Sequence, residues 1–334
     1  MPTYYAMTLD TEEQWQWHVT YPTSDYSLDN IFELPRFQEL CAGRGVKMTY
    51  FTNWAVLDNR DTRAVMLALD QHDGVEIGMH IHPWNTPPIE SHDPVGAYES
   101  FLANLPAEQI KAKLASVCDM FADAGLQPRS FRGGRYSSGG LIHEFLQDEG
   151  FVADSSIVPY TTWQDPGAPD FRDQGIAPSR IAPAAADKPA LWQIPLTVGF
   201  TRTHFDFWAR WYNRIKYSPL SHLRLIGLAE RLGLCKRIWL NFDFTPAGEM
   251  LELLGVVRAM DLPYVCLTIH TSSLMAGGNP YSQTAEDVKR LHANVDEVFG
   301  VIGRWDEFEP VTISELAGKL EANHHARDRH QPAG

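Results

Sequence analysis

Short apolar runs alternate along the chain with longer segments of helical periodicity, and Gly, Pro and other turn residues separate them. The predicted strands cover residues 4–9, 46–51, 75–82, 130–132, 151–154, 191–198, 237–242 and 264–269, followed by a short closing strand at 311–313. The predicted helices cover residues 35–42, 61–71, 107–124, 141–147, a helical pair at 205–232, 246–260 and a last helix from 314 onward. This alternation predicts a parallel α/β fold, either a (β/α) barrel or a doubly wound open sheet.

Polar residues at the ends of the predicted strands favour the barrel. They are Asp10, Asn53, His80, Arg132, Asp154, Thr197, Asn241 and His270. A closed barrel brings the carboxyl ends of all its strands to one rim, whereas an open sheet spreads them along an edge. The sequence therefore predicts a barrel whose rim carries these groups.

The chain of 334 residues, 44% of them hydrophobic, can bury the core of one barrel-sized domain. The predicted organisation is a domain at 1–321, insertions in it at about 157–190 and 205–232, and a flexible tail at 322–334.

Charge and cysteine usage restrict the partners and the compartment. The formal charge of −14, from 28 basic and 42 acidic residues, argues against nucleic acid or an anionic membrane as the main partner. Four cysteines lie far apart without a CxxC motif, which indicates reduced thiols. No apolar run reaches the ~18 residues that cross a bilayer, and no leader pattern precedes the first strand. We therefore expect a cytoplasmic protein.

Two histidines end the strand at 75–82 and suggest a metal site. Side chains alternate along a strand, so His80 and His82 share a face, with Cα atoms about 6 to 7 Å apart. By the same parity Asp10 and Glu12 share a face. Two histidines and one carboxylate with an open position form a hydrolytic zinc site. We expect Glu12 to bind the metal and Asp10 to act as the base, and the converse assignment stays open.

Five motifs in order resemble one family. They are Thr8-Leu9-Asp10, Gly78-Met79-His80-Ile81-His82, Phe131-Arg132-Gly133-Gly134-Arg135-Tyr136, Asp154-Ser155-Ser156 and Leu267-Thr268-Ile269-His270. Their order resembles the NodB-homology polysaccharide deacetylases, carbohydrate esterase family 4. Within that family, the stretches at 78–88, 270–274 and 277–281 resemble the divergent deacetylase-like proteins of bacterial surface-polysaccharide clusters. The resemblance implies a distorted seven-stranded (β/α) barrel, a divalent metal ion with zinc as the first expectation, and removal of N-acetyl groups from amino sugars.

The resemblance also implies roles for individual residues. Asp10 matches the catalytic base, Arg132 the arginine that orients this base, and His270 the general acid. His80 matches the first metal histidine. Arg135 competes with Arg132 for the orienting role.

The sequence departs from the family at two metal positions. Thr11 stands where the family has its metal-binding Asp, and Trp84 stands where it has its second histidine. Glu12 and His82 are the replacements that strand parity suggests.

Other polar and aromatic residues near the predicted rim are further candidates. Trp84, Tyr136 and Asp154 are candidates for substrate binding, since aromatic rings stack on sugar faces, while Asp154 could instead cap its loop. We expect His18, His92 and His143 to be loop or helix-face residues.

The helical pair carries two further patterns. Trp208, Trp211, Tyr212 and Ile215 fall on one helical face, and Arg210, Arg214, Lys216 and Arg224 form a basic patch on an acidic protein. Either this face packs on the barrel, or the pair forms a homodimer surface or a contact for a lipid- or nucleotide-linked glycan.

Together these patterns predict a metal-dependent carbohydrate deacetylase acting on an N-acetylated sugar. The alternatives are a hydrolase of another C–N or ester bond on the same barrel, and a sugar-binding barrel without catalysis.

Overall fold

The structure is a computed structural model that describes residues 2–17, 19–89, 95–183, 185 and 188–328. Its strands are β1 Thr3–Thr11, β2 Met48–Thr52, β3 Val75–Ile81, β4 Ser130–Gly133, β5 Ala153–Asp154, β6 Ser179–Ile181, β7 Leu191–Gln193, β8 Val198–Phe200, β9 Arg237–Trp239, β10 Tyr264–His270 and β11 Phe308–Pro310. Its helices are α1 Leu34–Ala42, α2 Trp54–Asp58, α3 Arg60–Asp70, α4 Ala107–Asp123, α5 Gly140–Asp148, α6 Phe205–Lys216, α7 Leu225–Arg231, α8 Ala247–Ala259, α9 Ala285–Ile302 and α10 Ile313–Asp328. His18, His92 and residues 329–334 of the predicted tail lie outside the described residues.

The main sheet is almost entirely parallel, with strand order β10-β1-β2-β3-β4-β5-β7-β6. The edge strand β6 is antiparallel to β7, and β11 pairs with the start of β1. β8 and β9 form a separate antiparallel pair. The mixed α/β class and the parallel sheet predicted from the sequence are therefore confirmed.

The sheet curls, because backbone hydrogen bonds after β7 reach the strand at its other end. The backbone N–H of Thr197 donates to the carbonyl of Cys266 in β10, at 3.1 Å. Asn241, just after β9, forms an isolated parallel bridge with Thr268 of the same strand. The continuous parallel sheet forms a half-barrel, and a closed seven-stranded barrel is not confirmed.

The predicted strand at 191–198 is wrong in its continuity, since it divides into β7 and β8. Pro195 lies between them and has no N–H to donate to a ladder.

The closing strand predicted at 311–313 lies instead at 308–310, as β11. Thr312 caps the next helix, and its backbone N–H donates to the Glu315 carboxylate at 3.1 Å.

Alternate side chains of β1 belong to two different buried apolar clusters. Tyr5, Met7 and Leu9 of β1 belong to the larger one, which lies between the sheet and its outer helices. Ala6 belongs to the other, together with residues of α10 such as Leu316. Thr8 and Asp10 share the parity of Ala6, so α10 fills the interior at one end while Asp10 stands at the other.

α10 extends to Asp328, and the single-domain organisation with its two insertions stays a prediction. In the described part of the chain, no helix combines the length and the apolar character needed to cross a membrane.

Candidate metal and acid–base site

Arg132 of β4 holds Asp10 at the end of β1. Its Nη1 donates to Asp10 Oδ1 at 2.5 Å, while Nε donates to the Ser155 carbonyl at 3.0 Å and Nη2 to Thr8 Oγ1 at 3.0 Å. Arg132 is fully buried and Asp10 nearly so. The guanidinium therefore fixes the orientation of the buried Asp10 carboxylate.

His270 lies beside Asp10, because β10 and β1 pair Asp10 with His270 in register. Its Nε2 is 3.6 Å from Asp10 Oδ2, and its Nδ1 donates to Asp243 Oδ2 at 2.6 Å. Asp243 also accepts from the His270 backbone N–H at 3.0 Å and from the Ser273 hydroxyl at 2.6 Å. Asp243 was not singled out from the sequence.

The Asp243 carboxylate raises the pKa of the His270 imidazole. Burial alone would lower the pKa of His270, but the charge and hydrogen bond of Asp243, with Glu12 and Asp10, raise it to about 9. The imidazole is therefore protonated at neutral pH, and its Nε2–H faces the cleft.

Glu12, His80 and His82 bring three ligand atoms together. Glu12 Oε2 lies 3.3 Å from His80 Nε2 and 3.0 Å from His82 Nε2, and the two nitrogens are 3.2 Å apart. All three side chains are buried, and among the described residues they form a cluster that could hold a metal ion. Ligand atoms bonded at about 2.0–2.1 Å to a tetrahedral zinc ion lie about 3.3 Å apart, which matches these separations.

The outer nitrogens of both histidines are already occupied. His80 Nδ1–H donates to the Arg132 carbonyl at 2.7 Å, and His82 Nδ1–H donates to Glu13 Oε1 at 2.8 Å. In the neutral rings this leaves a lone pair on each Nε2, directed at the other and at Glu12. Two lone pairs and a carboxylate in contact require a positive charge among them.

The pKa shifts of His82 and Glu12 indicate the same need for a positive charge between these side chains. Burial lowers the pKa of His82, but the Glu13 and Glu12 carboxylates raise it to about 10. Burial raises the pKa of Glu12, yet His82 and His80 hold it well below its usual value. A proton on His82 or a divalent cation satisfies this charge, so the donor set fits a metal ion.

Glu13 is a second residue that the sequence did not single out. It is fully buried, and it accepts from His82, from Trp84 Nε1 at 3.0 Å and from Asn53 Nδ2 at 2.5 Å. β1 ends at Thr11, so strand parity says nothing about the direction of Glu13. Its position beside the histidine strand comes from the loop.

Gly134 permits the close approach of the histidine strand to the loop after β4. A Cβ at this position would overlap the Ile81 carbonyl and the His82 ring. Gly134 of the sequence motif therefore leaves room for the His82 side chain.

Aromatic rings form most of the cleft around these polar groups. Its empty volume is about 790 Å³, part of it open to solvent, within the range of small-molecule sites. The aromatic lining residues are Trp15, Trp17, Phe101, Tyr136, Trp163, Trp239, Phe244 and Tyr281. Phe244 and Tyr281 are exposed, so the walls present flat apolar faces to solvent.

Two predicted substrate-binding residues do not line the cleft. Trp84 is 1% exposed and stacks on His82 with ring centroids 4.1 Å apart, so it is not a surface for sugar stacking. Asp154 accepts from Ser138 Oγ at 2.7 Å and from His143 at 2.9 Å, within a buried cluster that does not line the cleft.

Arg135 lines the cleft but does not contact Asp10. It donates to Tyr21, Ser100 and Asp165. Of the two candidate arginines, Arg132 is the one that contacts Asp10. Tyr136 lines the cleft as expected of a substrate contact, with its ring stacked on Trp163 at 5.6 Å.

No family model and no curated protein matches this chain. Solved structures do match it. A protein named as a polysaccharide deacetylase from Mycobacterium smegmatis is 15% identical, with a TM-score of 0.55 over 97% of this chain and 91% of that one. A second, from Pseudomonas aeruginosa PAO1, is 13% identical, with a TM-score of 0.53 over 96% and 92% of the chains.

An allantoinase structure matches equally well, at 13% identity and a TM-score of 0.53 over 96% of this chain and 91% of that one. Such low identity shows the fold alone. The resemblance to polysaccharide deacetylases that the motifs indicated is confirmed at the level of the fold.

Proposed function

We propose that this protein is a metal-dependent hydrolase that removes an N-acetyl group from an amino sugar of a surface polysaccharide or related glycan. The observation that carries the proposal is the placement of two groups on one cleft. Glu12, His80 and His82 form a metal-binding set, and Asp10 and His270 form an acid–base pair beside it.

The residues of the chain divide the chemistry of amide hydrolysis between them. A divalent ion held by Glu12, His80 and His82 would act as a Lewis acid toward water and the acetyl carbonyl. Asp10, oriented by Arg132, accepts the proton of the attacking water. His270, protonated through Asp243, donates a proton to the departing sugar nitrogen.

The cleft walls suit a neutral sugar ring. Their aromatic faces can stack on the apolar faces of a pyranose, and the lining arginine, Arg135, is already bonded to Asp165. The deacetylase neighbours act on carbohydrate according to their names, which supports this class of substrate.

Finer features of the prediction belong to the same proposal. They are zinc as the metal, a seven-stranded barrel completed by the segments around Thr197 and Asn241, and a cytoplasmic location. The link between these two segments and β10 supports the barrel. Four free cysteines support the compartment.

The test joins metal analysis with an assay for acetate. Protein purified without a histidine tag should contain about one divalent ion and release acetate from N-acetylated amino sugars. His80→Ala and His82→Ala should each lose the metal, whereas Asp10→Asn and His270→Ala should keep it and lose turnover.

Each failure has a specific meaning. Full metal occupancy in both histidine variants would overturn the metal site. Bound metal without acetate release would favour hydrolysis of another C–N or ester bond, for which the allantoinase fold gives a precedent. A protein that binds sugar but no metal would be a carbohydrate-binding barrel.

A further inference from the structure

The helical pair α6–α7 and its flanking turns carry a concentration of exposed apolar side chains. Each of these side chains is more than half exposed. They are Phe207, Leu223, Leu228, Leu232 and Leu234. Large apolar groups grouped in one segment indicate a surface that contacts something apolar.

The aromatic stripe predicted from the sequence is not this surface. Ile215 is buried, and Trp208 and Tyr212 pack against the hydrophobic core. That face of α6 attaches the pair to the rest of the protein. The exposed apolar side chains lie elsewhere on α6, α7 and their flanking turns.

The same segment carries cations without counterions. Arg210, Arg214, Arg224 and Arg231 are exposed, and within the described residues none of them forms an ion pair. Residues 202–236 hold seven Lys and Arg side chains and two carboxylates, although the whole chain holds 28 and 42. A locally basic surface therefore stands on an acidic protein.

Apolar and basic side chains share the exposed face of each helix. In α6, Arg210 and Arg214 lie three and seven residues after Phe207, on the same side. In α7, Leu228 is exposed together with Arg231, the last residue of the helix, and with Leu232, which directly follows it. Apolar side chains flanked by arginines are typical of helices that lie in the surface of a bilayer.

We propose that α6–α7, with the turns at Leu223 and Leu234, docks the protein on the surface of an anionic lipid bilayer. The leucines and Phe207 enter the acyl boundary, and the arginines meet lipid phosphates. The net charge of the whole chain opposes such contact, so docking depends on this segment facing the membrane. The proposal does not rest on the deacetylase function.

A second copy of the chain fits this surface less well. In a symmetric dimer the same patch meets itself, which would bring arginines of both copies together without carboxylates between them. A soluble phosphate ligand would leave the exposed leucines unexplained.

Docking leaves the cleft accessible. The pair connects Phe200 to Arg237, which are partners at one end of the β8–β9 sheet, whereas Trp239 at the other end lines the cleft. Changes on the exposed face should therefore not alter turnover of a water-soluble substrate.

Co-sedimentation with vesicles tests the proposal on the full chain. Wild-type protein should sediment with vesicles of phosphatidylcholine and phosphatidylglycerol, should not sediment with phosphatidylcholine alone, and should dissociate as salt is raised. At about five-fold per arginine, Arg210→Gln/Arg214→Gln should weaken binding about 25-fold. Leu228→Ser/Leu232→Ser should weaken it at least as much.

Matched variants control for charge and apolarity elsewhere. Arg36→Gln/Arg60→Gln removes two exposed arginines from α1 and α3, and Phe32→Ser removes an exposed ring outside the pair. Both should bind vesicles like the wild type, and all variants should keep the wild-type melting temperature.

Three results would overturn the proposal. They are no binding of wild-type protein to anionic vesicles, equal losses in the test and control variants, or a wild-type dimer in sedimentation that Leu228→Ser/Leu232→Ser dissociates. The last would make this surface a subunit interface. Acetate release does not enter these outcomes, so they are independent of the proposed reaction.

Discussion

Replacing Asp243 by Asn tests the role of His270 as a general acid. The substitution keeps the size of the side chain and removes its charge. Asp243 is nearly buried and bonds both the ring and the backbone N–H of His270. Removing the charge therefore acts on the protonation of the imidazole.

The size of the effect follows from the pKa of His270. Its rise from 6.5 to about 9 corresponds to about 3 kcal/mol of preference for the protonated ring. Without the Asp243 charge, burial still lowers the pKa and only Glu12 and Asp10 raise it, so we take a return to the ordinary value of 6.5 as the reference case. At pH 8 the protonated fraction should then fall about thirty-fold, while at pH 6 it should change much less.

The assay is kcat/KM for acetate release between pH 6 and 10. The basic limb of the wild-type profile should lie near or below pH 9, because a bound cation would also lower the pKa of His270. In Asp243→Asn the limb should move to lower pH. Asp296→Asn, which removes a surface carboxylate bound to Arg44, should leave the profile unchanged.

Protein stability gives a second readout. Here the effect of Asp243→Asn should be larger at low pH than at high pH, whereas its effect on activity should be larger at high pH. The folded pKa of His270 exceeds its unfolded value, so Asp243 stabilises the fold fully below about pH 6.5 and loses this contribution as the pH rises through about 9. Asp243→Asn should therefore destabilise the protein at pH 6 more than at pH 10. A basic limb at the same pH in both proteins would refute the assignment of His270 as the acid.

Three further predictions concern the buried polar groups. Glu13→Gln should weaken metal affinity about 10–100-fold in a chelator competition, because His82 loses its charged acceptor, while kcat at saturating metal changes little. Metal affinity in the wild type should rise with pH up to about 10, since binding displaces the proton of His82, and calorimetry in two buffers would detect the released proton. Arg132→Ala should cost about 3–5 kcal/mol in urea unfolding, because it leaves Asp10 buried without its cation, and a second change, Asp10→Asn, should restore part of that stability. Unchanged affinity in Glu13→Gln, affinity independent of pH, or an unchanged urea midpoint in Arg132→Ala would each contradict the corresponding prediction.

Periodicity predicted the parallel sheet, and of the polar groups predicted at the strand ends, Asp10, His80, Asn241 and His270 line the cleft. Asp10 and His270 end adjacent strands, and the alternation of side chains predicted that Glu12 would face His80 and His82. Asp10 and His270 lie within regular strands, where sequence spacing determines direction, and Glu12, one residue past the end of β1, keeps the same parity.

The parts that the sequence missed depend on irregular backbone. Glu13 and Asp243 follow the ends of β1 and β9, where spacing no longer gives direction, and both bond histidines from other strands. The long helix α9 was not predicted either, although Thr284 and Asp287 form its capping box. The strand predicted at 191–198 divides at Pro195. The apolar residues on both sides of this proline gave the appearance of one continuous strand.

The departure from the family at Trp84 has a structural explanation in this chain. The ring that replaces the expected second histidine stacks on His82, two residues earlier, and its indole N–H donates to the Glu13 oxygen that also holds His82 Nδ1. The Trp84 side chain thus contacts His82 and its carboxylate partner, Glu13. Because the ligand atoms of Glu12, His80 and His82 already lie 3.0 to 3.3 Å from one another, a ligand from position 84 is not needed to complete a three-residue set. Moving one histidine by two residues keeps it on the same face of the strand, and the aromatic ring fills the space behind it.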